Sequence, residues 1–229
     1  MSSMVLHFLN AQGKLTAHCS WLEACLSETY IKANTQMSLP SLDVIVKAGT
    51  HVIPEKGHLG YSPEPGVVYI TVDPVSAAFC SNSNQSLERM FAHELHHAAR
   101  WSGPGYGFSL GEALVSEGLA GHFALQVCGG QPEPWECLNL HEINLHRVRA
   151  LREWGNTNYH HNVWFFGFGD LPRWLGYSLG FDMISRYLSA HPEQRASMLT
   201  YASADVFRDS IELADISNNR PEGSGAQNA

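Results

Sequence analysis

An α+β protein, with a small mixed sheet near its amino terminus and a helical remainder, is predicted by three features of the chain. Strand-like apolar runs are confined to the first third, at Val5–Leu9, Leu42–Val46 and Gly66–Val72. From Ser83 onward the apolar spacing becomes helical. Glycine-rich breaks separate the helical stretches, at 102–107 and at Gly129-Gly130.

Taken in order, residues 4–17 read as a short hairpin whose strand leads into the turn Asn10-Ala11-Gln12-Gly13 and returns through Leu15. Ser20 is placed to cap an amphipathic helix from Trp21 to about Thr35. Residues 47–65 carry Gly and Pro throughout and read as a surface loop between two strands. Helices are expected over Leu87–Trp101, Leu110–Cys128, 139–153, Leu171–Ala190 and 194–214. This divides the chain into an α/β lobe over 1–101, a helical lobe over 102–217 and a polar, disordered tail over 218–229.

Across 229 residues, 44% are apolar and only 16% charged, which excludes disorder from charge excess for most of the chain. The net charge of −8 and the scatter of Lys and Arg argue against nucleic acid as a partner, since phosphate binding needs a basic stripe. No apolar run approaches the roughly 18 residues of a membrane span. A soluble, cytoplasmic protein is expected. The five cysteines form no CxxC pair and read as reduced thiols. What stands out is the 13 histidines.

Two of them lie in Phe91-Ala92-His93-Glu94-Leu95-His96-His97, an H-E-x-x-H string inside a helical pattern. At 100° per residue His93 and His97 differ by about 40°, so both imidazoles leave one helix face and can share a tetrahedral ion. The flanks are apolar and free of Pro, as such a helix requires. Glu94 beside them is suited to take a proton from a water attacking a carbonyl and to pass it to the leaving amine. His96 points away from that face and reads as a hydrogen-bonded surface histidine, with ligation the lesser alternative. Arg100 follows as a candidate partner for a carboxylate.

A catalytic zinc takes a third protein ligand and keeps an open position. Ser109-Leu110-Gly111-Glu112 forms a capping box, which gives Glu112 a structural task. Glu117 lies near a stripe of small residues, Ala113, Ala120, Gly121 and Ala124, that would let its helix approach the histidine helix closely. Glu117 is the expected third ligand, and Cys128 and Cys137 are not needed. The aromatic stretch 156–170 is either a lid over a pocket or a plug between lobes.

The segment Glu112 to Ala120, in which nineteen residues separate Glu117 from His97, resembles the gluzincins, the thermolysin-like clan of zinc peptidases whose third ligand is a Glu on a second helix. More closely, four strings look like a predicted zinc-dependent protease family first catalogued as a bacterial domain of unknown function. They are Val68–Pro74, His93–Trp101, Ser116–Ala120 and Gly176–Gly180. The resemblance implies a Zn2+ enzyme acting on a peptide or protein substrate, with His93, His97 and Glu117 on the metal and Glu94 as general base. It also implies that Val67 to Val72 is the strand that aligns substrate, and that Tyr177 faces the developing oxyanion. Tyr159, His160 and His161 are rivals for that last role. Where thermolysin-like enzymes carry a histidine-orienting Asp four residues after the Glu ligand, this chain has Gly121. Two other readings remain: a non-catalytic metal-binding and partner-recognition module, and a zinc amidohydrolase acting on a non-peptide amide.

Overall fold

The computed structural model describes residues 3–212. The expected tail over 218–229, the last residues of the expected carboxyl-terminal lobe and the end of the 194–214 helix lie outside them. Four strands, β1 (Met4–Leu9), β2 (Leu42–Ala48), β3 (His58–Glu64) and β4 (Val67–Val72), form a mixed sheet in the order β1-β2-β4-β3. β1, β2 and β4 run parallel, with Met4 opposite Leu42 and Val44 opposite Val68, while β3 returns antiparallel to β4 with His58 opposite Val72. Alternation puts Leu42, Val44, Val46, Val68, Ile70 and Val72 in the core. The helix α1 (Cys19–Gln36) touches β1, and α3 (Ser86–Arg100) touches β3 and β4.

The expected hairpin does not form. β1 pairs with β2 in parallel, and residues 10–18 are held as turns by Asn10, whose side chain accepts from the Leu15 amide at 2.8 Å and donates to Thr16 at 3.0 Å. Leu15 fills the core instead of returning as a strand, being fully buried. α1 starts at Cys19 after His18, with no side-chain cap, so Ser20 falls inside its first turn. The span 47–65 contains a strand rather than only a loop. Pro63 is tolerated in β3 because β3 is at the sheet edge, where a missing ladder donor costs little.

Next come a short helix α2 (Ala77–Ser81), α3, and α4 (Leu110–Cys128), which is capped by the expected box between Ser109 and Glu112. The helix α5 (Leu140–Arg152) begins at Asn139, whose side chain accepts from the Glu142 amide. The aromatic stretch forms α6 (His161–Phe166), and α7 (Leu175–Ala190) follows. α7 starts four residues later than the spacing suggests, because Pro172 and Trp174, at φ +73°, break the helical path. Beyond it, 3-10 turns at Ala196–Met198 and Ala204–Ile211 replace the expected helix.

α4 is buried on nearly every side, between α3 and α7. Its contact with α7 is backbone to backbone: a Cβ on Gly118 would lie 2.3 Å from the Gly180 carbonyl oxygen, and one on Gly180 would lie 2.2 Å from that of Leu114. Glycine alone allows this approach. Buried residues of the sheet, α1, α3, α4 and α7 belong to one hydrophobic cluster. No helix among the described residues is long and apolar enough to cross a membrane.

Candidate metal centre

α3 has apolar residues on the face toward the core and turns His93 and His97, one helical turn apart, toward α4. From α4, Glu117 reaches between them. Its Oε2 lies 3.0 Å from His93 Nε2 and 3.6 Å from His97 Nε2, and the two Nε2 atoms are 3.0 Å apart. A tetrahedral zinc with ligands at 2.0–2.1 Å separates its donors by roughly 3.3 Å, so the three atoms already have the spacing of a shared ion. Facing nitrogens at this distance need a proton or a cation between them. Among the described residues this is the cluster that could hold a metal, and all three atoms lie within 4.8 Å of one another. Neither Cys128 nor Cys137 belongs to it.

The electrostatics match. Burial would lower the His93 pKa, but the hydrogen bond and charge of Glu117 outweigh it and push it up to about 9. Burial alone would raise Glu117; the two imidazoles instead hold it well below the usual carboxylate range. Such mutual stabilisation is what a cation placed among the three would replace.

Two side chains that the sequence reading passed over support the cluster. Tyr106 donates to Glu117 Oε1 at 2.8 Å and lays its ring 5.6 Å from that of His97. Ser116 Oγ stands 3.5 Å from His97 Nδ1 and is fully buried. Ser116 was detectable as a neighbour of Glu117 in sequence. Tyr106 was not, since it sits in the glycine-rich stretch between α3 and α4 and reaches Glu117 only through the fold.

Glu94 is buried beside the histidines with its carboxyl pKa raised, because desolvation outweighs the pull of His97 and His93; the Ser62 backbone faces the carboxyl. Here β3 comes unusually close to α3. A Cβ on Gly60 would lie 2.4 Å from Met90 Sδ and 2.5 Å from Glu94 Cγ. β4 therefore has no free edge for a substrate: it is enclosed between β2 and β3, and the edge strand beside α3 is β3, whose residues 59–63 line the cleft together with Tyr69 and Thr71 of β4. The expectation for Val67–Val72 failed because the strand that covers β4 was hidden in a Gly- and Pro-rich stretch.

The cleft, about 750 Å³, contains His93, Glu94, His97 and Glu117, with Tyr177 in its wall. A second cavity of about 170 Å³ opens beside His93 and Glu94 and is lined by Leu59, Met90, Ala124, Trp135 and Tyr177 among others. Burial, then the nearby charges of Glu117 and Glu94, raise the Tyr177 pKa well above 10, so its phenol stays protonated. Of its rivals, His161 also lines the cleft, stacked on Phe165 at 4.3 Å, while the Tyr159 hydroxyl lies 3.3 Å from His161 Nδ1 and His160 is exposed. The aromatic stretch fills both suggested places, with Trp164 and Phe165 in the core and His161 and Phe166 in the cleft wall.

His96 is not a surface residue. It is fully buried 5.5 Å from the Phe123 ring, outside the cluster, and desolvation lowers its pKa far enough to keep it neutral. Arg100 is buried too, and donates to the carbonyls of Thr200 at 2.9 Å and Ala202 at 3.3 Å rather than to a carboxylate.

An α+β fold with a His-Glu-x-x-His helix against a Glu-bearing helix, closed around a metal-sized gap, defines a candidate metalloprotein with a carboxylate at the open side of its site. The chain belongs to the family described as "Predicted Zn-dependent protease (DUF2268)", which matches residues 22–208. No curated protein matches it.

Proposed function

We propose that the chain is a zinc-dependent metallopeptidase of the gluzincin type, in which His93, His97 and Glu117 hold one zinc. The observation that supports this reading best is the 3.0 to 3.6 Å spacing of the three ligand atoms, next to a buried carboxyl with a raised pKa. Zinc, when bound, supplies Lewis acidity, polarising a carbonyl and acidifying water. Glu94 takes a proton from the attacking water and delivers it to the amine as the peptide C–N bond breaks. Its raised pKa suits a group that must both accept and release that proton. Tyr177 donates its hydroxyl to the carbonyl oxygen as negative charge develops there.

The edge strand β3 beside Glu94 favours an extended peptide over a small amide, because such a strand offers backbone groups for pairing. Neither nucleic acid nor membrane enters this reading, and a purely structural metal site would have no need of Glu94 in the cleft. The decisive comparison is wild type against Glu94→Gln, with zinc measured by elemental analysis and hydrolysis measured on a peptide library. Both proteins should contain about one zinc per chain, and the variant should lose about 10²- to 10⁴-fold in turnover. Wild-type turnover in the variant, or a wild type that binds no zinc, overturns the proposal.

A further inference from the structure

An imidazole that ligates a metal almost always donates its other ring N–H to a carboxylate, a backbone carbonyl or water, and that partner sets ring orientation and basicity. His97 Nδ1 faces Ser116 Oγ. Both hydrogen bonds of His93, to Glu117 and to His97, run from Nε2 and leave its Nδ1 for a different group.

Glu136, which makes no hydrogen bond to His93 here, is a buried carboxylate on the wall of a cavity that His93 also lines. It ends the 3-10 turn Pro134–Glu136 and is only 6% exposed. Its Oε2 accepts from the Glu133 amide at 2.7 Å. Nearby, Lys56 and Arg89 both pair with Glu133, and no ion pair among the described residues ends on Glu136. The other oxygen, Oε1, is pressed against α4 at Gly121, one turn beyond Glu117, where a Cβ would lie 2.3 Å from it. Glu136 and His93 line the same 170 Å³ cavity.

On the metal site proposed above, we infer that Glu136 is a positioning residue for His93, a carboxylate brought from a separate turn into the space that Gly121 leaves open on the ligand helix. Gly121 then has a steric reason: any side chain there would displace the Glu136 carboxylate. The burial of an acid without a cation also has a reason, since a ligating imidazole beneath a divalent ion is the positive partner it lacks.

Zinc affinity, measured by competition with a chelating indicator, tests this independently of peptide cleavage. The melting temperature of each metal-free protein reports folding, and the visible spectrum of the cobalt-substituted protein reports ligand orientation. Glu136→Ala should bind zinc about 10- to 100-fold more weakly than wild type and shift the cobalt bands. Glu136→Gln, which keeps size and an acceptor but loses charge, should weaken binding several-fold. Gly121→Asp should weaken it by collision with Glu136, whereas Gly121→Asp combined with Glu136→Ala should recover much of the lost affinity, the new carboxylate taking the vacated space. Unchanged zinc affinity in folded Glu136→Ala overturns the inference; if that variant does not fold, unchanged affinity in Glu136→Gln does so. A wild type that binds no zinc refutes the metal site itself, while a zinc-binding wild type with unaffected variants refutes only the role of Glu136.

Discussion

Tyr106 and Glu117 are joined by a 2.8 Å hydrogen bond from phenol to carboxylate Oε1, which leaves Oε2 alone to face the two imidazoles. A carboxylate tied in this way presents one oxygen, in a fixed direction. Replacing Tyr106 by Phe removes the tie while keeping the ring against His97. Zinc affinity should fall about tenfold or more, with the metal-free melting temperature nearly unchanged; equal affinity would show that helix packing alone aims Glu117.

Tyr177→Phe separates the phenol from the rest of the wall. Turnover should drop about 10²- to 10³-fold, the usual loss of one oxyanion donor, while zinc content and KM stay close to wild type. His161→Ala serves as the comparison, since His161 also lines the cleft. If the histidine variant loses turnover and the tyrosine variant does not, the roles are exchanged.

Gly60→Ala probes the fit of β3 against α3. The added methyl would meet Met90 Sδ at 2.4 Å and Glu94 Cγ at 2.5 Å, so strand or carboxylate must move. An overpacking cost of about 1–3 kcal/mol should appear in denaturant unfolding. Because a small displacement of a proton-transfer group is costly, turnover should fall about 100-fold, and a variant of full activity would mean that the strand adjusts freely.

His58 makes stability depend on pH. It is buried with Nε2 2.8 Å from Ser86 Oγ, and burial, assisted by Lys56, lowers its pKa from 6.5 to about 4. Below pH 6.5 the unfolded chain takes up a proton that the folded chain refuses, so stability falls as pH drops from 6.5 to about 4 and this contribution then levels off. The full span corresponds to roughly 3 kcal/mol. Urea unfolding of wild type and His58→Gln at pH 7 and pH 4.5 should show the smaller loss in the variant, and parallel losses would exclude His58 as the source.

The cavity beside His93 measures about 170 Å³, close to the roughly 150 Å³ of an apolar cavity known to take benzene. Peptides with a Phe or Leu beside the cleaved bond should be hydrolysed at least about tenfold faster than those with Ala, the usual value of a filled apolar pocket. Ala124→Phe, which fills the cavity from α4, should abolish this preference while leaving zinc content intact. A preference that survives the filling would place the side-chain pocket elsewhere.

Local signals carried the parts of this reading that depend on short spacing. His93 and His97 share a face by helical geometry alone, and the Ser109–Glu112 box is a four-residue pattern. Glu117 could be reached because small residues implied close helix packing. Features set by long-range placement stayed hidden. Gly60 and Pro63 look like loop residues until β3 is seen at the edge of the sheet, pressed onto Met90 and Glu94. Tyr106 has no local pattern, and Glu136 shows only the box it forms with Glu133, which says nothing of the space beside α4 that it occupies. His96 was misread because α3 is enclosed on more sides than an amphipathic surface helix.

The meeting of Gly118 and Gly180 fixes more than an interhelical distance. Gly118 adjoins Glu117, and Gly180 stands one turn from Tyr177, so main chain rather than side chain sets the span from the acidic ligand to the phenol. A span set by touching backbones cannot be retuned by exchanging larger residues for smaller ones. A side chain introduced at either glycine would therefore have to part the two helices, and with them Glu117 from Tyr177.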